Sequence, residues 1–192
     1  AGTRDGRGDG IAMSATGDHP VAIEECCDPD AAGGLEAITA RHHPVVFRGL
    51  VRDWPVVKLA RQSDTAFAKY LASLDNDTPV DTLLMPPEAD GVVGYNADMS
   101  GFNYTHYRIP LTLGLRRLAR FSREGSREGL AIQSASTTAC LPGFAREHVL
   151  PLVPAGVEPR IWIGNRVTTP AHFDAMHNIA CVVCGARRFT LF

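Results

Sequence analysis

His172 and Asp174 stand two residues apart in the stretch TTPAHFDAMHNIACVVCGARRFTLF, residues 168–192. On an extended strand, residues i and i+2 project from one face, so this spacing lets an imidazole and a carboxylate reach a single ion. The two are two-thirds of the facial triad of non-haem Fe(II) oxygenases, which leaves coordination positions open for a cosubstrate and oxygen. Asn178 keeps the same parity and is expected to face the same cavity, whereas His177 has the opposite parity and is expected at the rim or surface. Arg187 follows Gly185, where a turn would start a returning strand. Its guanidinium fork suits a two-point clamp on a carboxylate. An isolated H-x-D arises by chance wherever a strand carries a surface His and Asp. The surroundings give this one weight: Thr169-Pro170-Ala171 before it, Asn178 after it, and the Arg187-Arg188 end.

The elements that must position these residues are legible in outline. Residues 1–20 are Gly-rich, polar and aperiodic, which predicts a disordered leader or tail with Met13 as a candidate start and order from near Val21. The Arg7-Gly8-Asp9 tripeptide in it is a chance match to an adhesion motif. GLEAITARHH reads as a short amphipathic helix, and PVVFRGLV as a strand ended by Trp54-Pro55. SDTAFAKYLASL opens on Ser63 or Asp64 as N-cap. Its Phe67, Tyr70, Leu71 and Leu74 recur at helical spacing.

Pro, Gly, Asn and Asp then punctuate short strands, and a second amphipathic helix is predicted over 112–120. In it Leu115 and Leu118 face inward, with Arg116, Arg117 and Arg120 on a solvated face. LAIQSAS, PRIWIGN, NIACVVC and RRFTLF read as strands. The fold class is therefore α+β, with helices and short strands leading into an antiparallel β structure.

Composition narrows the function classes. With 45% hydrophobic and 21% charged residues, the 192-residue chain is that of an ordinary soluble domain. A net charge of −2 and a pI near 6.4 do not imply nucleic-acid binding. No apolar run approaches a membrane span and no secretory layout opens the chain, so a cytoplasmic protein is expected. The five cysteines, at 26, 27, 140, 181 and 184, have no disulfide-framework spacing. Cys181 and Cys184 lie in an apolar run without a second pair for zinc, and are expected as small buried hydrophobes. His42, His43, His106 and His148 lack ligand spacing and are expected in solvated or turn settings. Trp54 and Trp162 are expected as core or pocket wall.

The stretch TPAHFDAMHNIACVVCGARRFTLF resembles the metal-binding strand and following hairpin of the cupin-like, Jumonji-C-related Fe(II)/2-oxoglutarate oxygenases. It is close in pattern to the asparaginyl hydroxylase of hypoxia-inducible factor. PVVFRGLVRDWP, GYNADMSGFNY, AIQSAS, CLPGF and PRIWIGN extend the resemblance over residues 21–192, as a single cupin-like domain. The resemblance implies a double-stranded β-helix, or cupin jelly roll. Its implied iron ligands are His172 and Asp174, and Thr169, Asn178 and Arg187 would line the 2-oxoglutarate pocket, Arg187 on the far carboxylate. The implied activity is an Fe(II)- and 2-oxoglutarate-dependent dioxygenase that hydroxylates a protein or peptide side chain or another bulky substrate.

Two departures accompany the resemblance. The family's third ligand is a histidine on a later strand, expected beyond Phe192 along with the region through which relatives form homodimers. Ala131 stands where the hydroxylase has a tyrosine that contacts 2-oxoglutarate. Two further readings are kept beside the enzyme. One is a non-catalytic cupin-like binding module without a complete metal triad, and the other is an interaction protein docking through its helical N-terminal half.

Overall fold

The computed structural model describes residues 23–28 and 33–191. The expected leader over 1–20, with its candidate start, lies outside the described residues. Two short strands, β1 (Glu24–Cys26) and β2 (Val45–Phe47), pair in parallel across helix α1 (Gly34–Ala40). The strand expected across PVVFRGLV is only these three residues. Trp54-Pro55 begins a helix, α2 (Pro55–Gln62), rather than merely ending a strand. Proline at the first helical turn needs no backbone N–H there and brings its φ pre-set.

Helix α3 (Asp64–Leu74) follows at once, and the Ser63 Oγ accepts the backbone N–H of Ala66 at 3.0 Å. That cap fulfils the sequence expectation. Phe67 and Leu71 are buried from this helix.

Strands β3 (Pro79–Met85), β4 (Thr105–Pro110), β5 (Gly129–Ser136) and β6 (Arg160–Gly164) form one antiparallel sheet in the order β4-β3-β5-β6. The molecule is thus α+β with an antiparallel sheet. Helix α4 (Leu111–Glu124) links β4 to β5 and exceeds the expected 112–120 at both ends, closing on Gly125 in the left-handed conformation. Short helices α5 (Thr137–Cys140) and α6 (Phe144–Glu147) lead from β5 toward β6.

Alternation along the strands divides the sheet into two faces. Val80, Leu130, Ile132 and Ile161 join Val56, Leu71, Leu111, Leu115 and Phe121 in the main core between sheet and helices. Leu83, Met85 and Ala131 point to the other face and pack with Ala89, Val93, Tyr104 and Val167. Ala131 is therefore buried beneath the 86–104 connection. Among the described residues no helix is long and apolar enough to cross a membrane.

The chain beyond β6 departs from expectation. Residues 165–191 contain no strand, although NIACVVC and RRFTLF read as strands and His172 and Asp174 were expected on one. A strand needs a neighbour to take its backbone hydrogen bonds, and among the described residues none pairs with this segment beyond an isolated bridge at Thr168. Val183 and Cys184 instead pack against the main core, and burial, with Asp64 nearby, pushes the Cys184 thiol pKa up.

Candidate metal centre

The segment carrying His172 is held by a loop-to-loop bridge. Val93 N–H donates to the Thr168 carbonyl at 3.0 Å, and Thr168 N–H donates to the Gly91 carbonyl at 2.8 Å. Gly91 has φ +74°, and a Cβ there would run into the carbonyl oxygen of Arg166. Only glycine allows this approach. Asn103 braces the same loop, its Nδ2 donating to the Val92 carbonyl at 2.8 Å and its Oδ1 accepting from Gly94 N–H at 3.0 Å.

Four residues beyond the bridge, His172 Nδ1 lies 2.8 Å from the carbonyl oxygen of Pro170. A carbonyl can only accept, so Nδ1 donates, and in the neutral ring the lone pair lies on Nε2. That Nε2 lies 3.7 Å from Asp174 Oδ1. The other carboxylate oxygen, Oδ2, accepts from Asn178 Nδ2 at 2.9 Å, while the same amide donates to the Met176 carbonyl at 3.1 Å. Each of the two donor groups is thus oriented through its far atom, leaving one nitrogen and one oxygen turned toward each other.

That donor set suits a divalent cation. For metal–ligand bonds of roughly 2.1 Å, two adjacent ligand atoms lie about 3 Å apart, so a closure of under about 1 Å brings this pair into place. Both side chains are more than half exposed, which leaves the remaining coordination positions open. Among the described residues no group of three or more His, Cys, Asp or Glu side chains is placed to hold an ion.

The structure brings together His172, Asp174 and Asn178, but not by strand alternation. A bend at 175–176 turns Asn178 back onto Asp174. Thr169 is exposed next to the bridge. Arg187 lies past the turn at Gly185, which has φ +71°, and its guanidinium sits 5.9 Å over the Phe189 ring. No contact joins Arg187 to the His172–Asp174 pair among the described residues. His177 is exposed. Trp162 is 45% exposed on β6, and Trp54 is half-buried with its indole N–H on the Val149 carbonyl at 3.0 Å.

His148 corrects the expectation of a solvated histidine: it is buried among Trp54, Tyr70 and Phe144, with the Phe144 ring centroid 4.0 Å away. Its Nε2 accepts the backbone N–H of Val56 at 3.2 Å, and Nδ1 donates to the Phe144 carbonyl at 2.7 Å. Helix α2 has no side-chain cap from Trp54, so His148 serves one of its free N–H groups from 92 residues away. No local pattern announces that role. His106 also differs from the loop expected: it lies on β4, exposed, with Nε2 2.9 Å from Asp81 Oδ1. His42, in a turn, and His43 are both exposed, as expected.

The model of the family described as the cupin-like domain matches residues 31–192. The match carries that family and no particular hydroxylase within it. No curated protein and no solved structure matches the chain.

Proposed function

The chain belongs to the cupin-like domain family, and from that membership together with the His172–Asp174 geometry we propose that it is an Fe(II)- and 2-oxoglutarate-dependent oxygenase. The family includes Jumonji-C-type oxygenases. The observation that carries the reading is the 3.7 Å approach of His172 Nε2 to Asp174 Oδ1, with Asn178 holding the second carboxylate oxygen.

Iron and 2-oxoglutarate, when bound, supply the oxidising chemistry that hydroxylates a protein or peptide side chain or another bulky substrate. The chain's own residues do the orienting. The Pro170 carbonyl holds a proton on His172 Nδ1, so in the neutral ring Nε2 is the atom that would bind metal. Asn178 keeps Asp174 monodentate, which preserves an open position. Thr169, Asn178 and Arg187 would line the cosubstrate pocket, and the Arg187 fork would take the far carboxylate of 2-oxoglutarate.

A second reading is a non-catalytic cupin-like module, favoured by the presence of only two donors at the candidate centre among the described residues. One experiment separates the two. Succinate formation from 2-oxoglutarate is followed with added Fe(II), for the protein and for His172→Ala and Asp174→Ala. Iron-dependent turnover that both substitutions abolish supports the oxygenase. Turnover retained in either variant removes the site, and iron binding without turnover by the unaltered protein selects the module.

A further inference from the structure

Helix α4 and the edge strand β4 enclose a groove unrelated to the metal centre. It measures about 350 Å³ and is lined by Tyr107, Ile109, Leu113, Arg116, Arg117 and Arg120. Its floor is apolar, since Tyr107 and Ile109 lie on the helix-side face of β4, paired with Thr82 and Val80, and Leu113 comes from the first turn of α4. Tyr107 is 41% and Leu113 47% exposed. Its rim is cationic, with three guanidiniums and no carboxylate among the lining residues. Arg120 meets Glu124 at 3.6 Å, whereas neither Arg116 nor Arg117 has a carboxylate partner among the described residues. Arg117 lies 6.0 Å over the Tyr107 ring. The acidic residue of β3 beside this strand, Asp81, is engaged on the opposite face by His106 and Arg108.

We propose that this groove docks an acidic segment of a partner protein that carries an aromatic or aliphatic anchor. The floor takes the anchor and the three arginines take flanking carboxylates, for which their forked donors are suited. A peptide is favoured over a small anion or a lipid surface because β4 ends the sheet. No strand pairs with its outer edge among the described residues, so its outward N–H and C=O groups can be satisfied by an added backbone. The sequence shows only the arginines, as an apparently solvated helix face. The apolar floor beneath them comes from a strand that folding brings alongside.

The probe is a fluorescein-labelled peptide in which two glutamate triplets flank a leucine–phenylalanine pair, titrated with the protein by fluorescence anisotropy. Saturable binding is expected, weakened about tenfold or more by the Arg116→Glu, Arg117→Glu double variant. Leu113→Ser, and alanine in place of the peptide's phenylalanine, are expected to weaken it similarly. Because Leu113 and Arg116 are exposed and Arg117 is only half-buried, circular dichroism should report an unchanged fold; if the double variant is misfolded, Arg116→Ser and Leu113→Ser carry the test. Backbone N-methylation of the peptide should also weaken binding.

Several results overturn the proposal. They are no binding, equal binding of a lysine-for-glutamate peptide, and insensitivity to the groove substitutions. Displacement of the peptide by equimolar inorganic phosphate would mean a simple anion site. Binding to phosphatidylglycerol vesicles without peptide binding would mean a lipid surface, and self-association lost in the same variants would mean a contact between copies. None of these readouts depends on iron or 2-oxoglutarate, so this test and that of the oxygenase fail independently.

Discussion

The side-chain amide of Asn178 donates to Asp174 Oδ2 at 2.9 Å, and this leaves Oδ1 as the carboxylate oxygen that faces His172. Groups that orient a metal ligand through its far atom are worth about 10–100-fold in affinity. Asn178→Ala is therefore expected to lower Fe(II) or Mn(II) affinity by that factor, measured by anaerobic titration calorimetry. Unchanged affinity would mean that the amide bond to Asp174 is incidental.

Under the proposed function Arg187 serves the cosubstrate and not the metal. Arg187→Ala should weaken 2-oxoglutarate by about tenfold or more while leaving metal affinity within about twofold. Equal losses of both would make Arg187 a structural residue.

Gly91 is the one residue type compatible with the close approach of the 165–169 segment, having φ +74° and the Arg166 carbonyl where a Cβ would stand. Gly91→Ala is expected to cost about 1–3 kcal/mol and to open the Val93–Thr168 bridge. Faster hydrogen exchange of the Val93 and Thr168 amides would report it, with metal affinity falling in parallel. Exchange unchanged at both amides would show that the bridge does not depend on this glycine.

His148 links stability to pH. Burial holds its pKa below the ordinary value of 6.5 despite the Phe144 carbonyl and Glu147, which act the other way. The unfolded chain therefore takes up a proton at a higher pH than the folded one. The contribution of the buried neutral ring is fully present above the unfolded pKa and is lost as pH falls below it. Melting temperature should drop between pH 7.5 and 5.5, and His148→Gln should flatten that slope while lowering stability at pH 7.5 by about 2 kcal/mol. An unchanged slope in the variant would place the pH dependence elsewhere.

Where an element is set by neighbours in the chain, the sequence showed it. Ser63 caps α3 through an N–H three residues on, Leu115 turns inward on α4, and Gly185 makes its turn. Strands β5 and β6 fall on LAIQSAS and PRIWIGN. Helix α2 was missed although Pro55 marks its first turn, because Trp54-Pro55 reads equally as a strand end.

The candidate centre divides in the same way. The identities and the two-residue spacing of His172 and Asp174 were legible, since donor chemistry belongs to residue type. The strand geometry expected for them was not found, because pairing depends on a neighbouring strand and none lies beside 170–191 among the described residues.

The sequence by itself determined which residue types could serve as metal donors and where α1, β2, α3, α4, β5 and β6 lie, matters of residue chemistry, local propensity and periodicity. Only the tertiary structure decided that Asn178 closes on Asp174, that Gly91 and Val93 hold Thr168, and that His148 caps a helix 92 residues earlier. Those contacts arise from packing, which places donor and acceptor together without leaving a spacing for either to be read by.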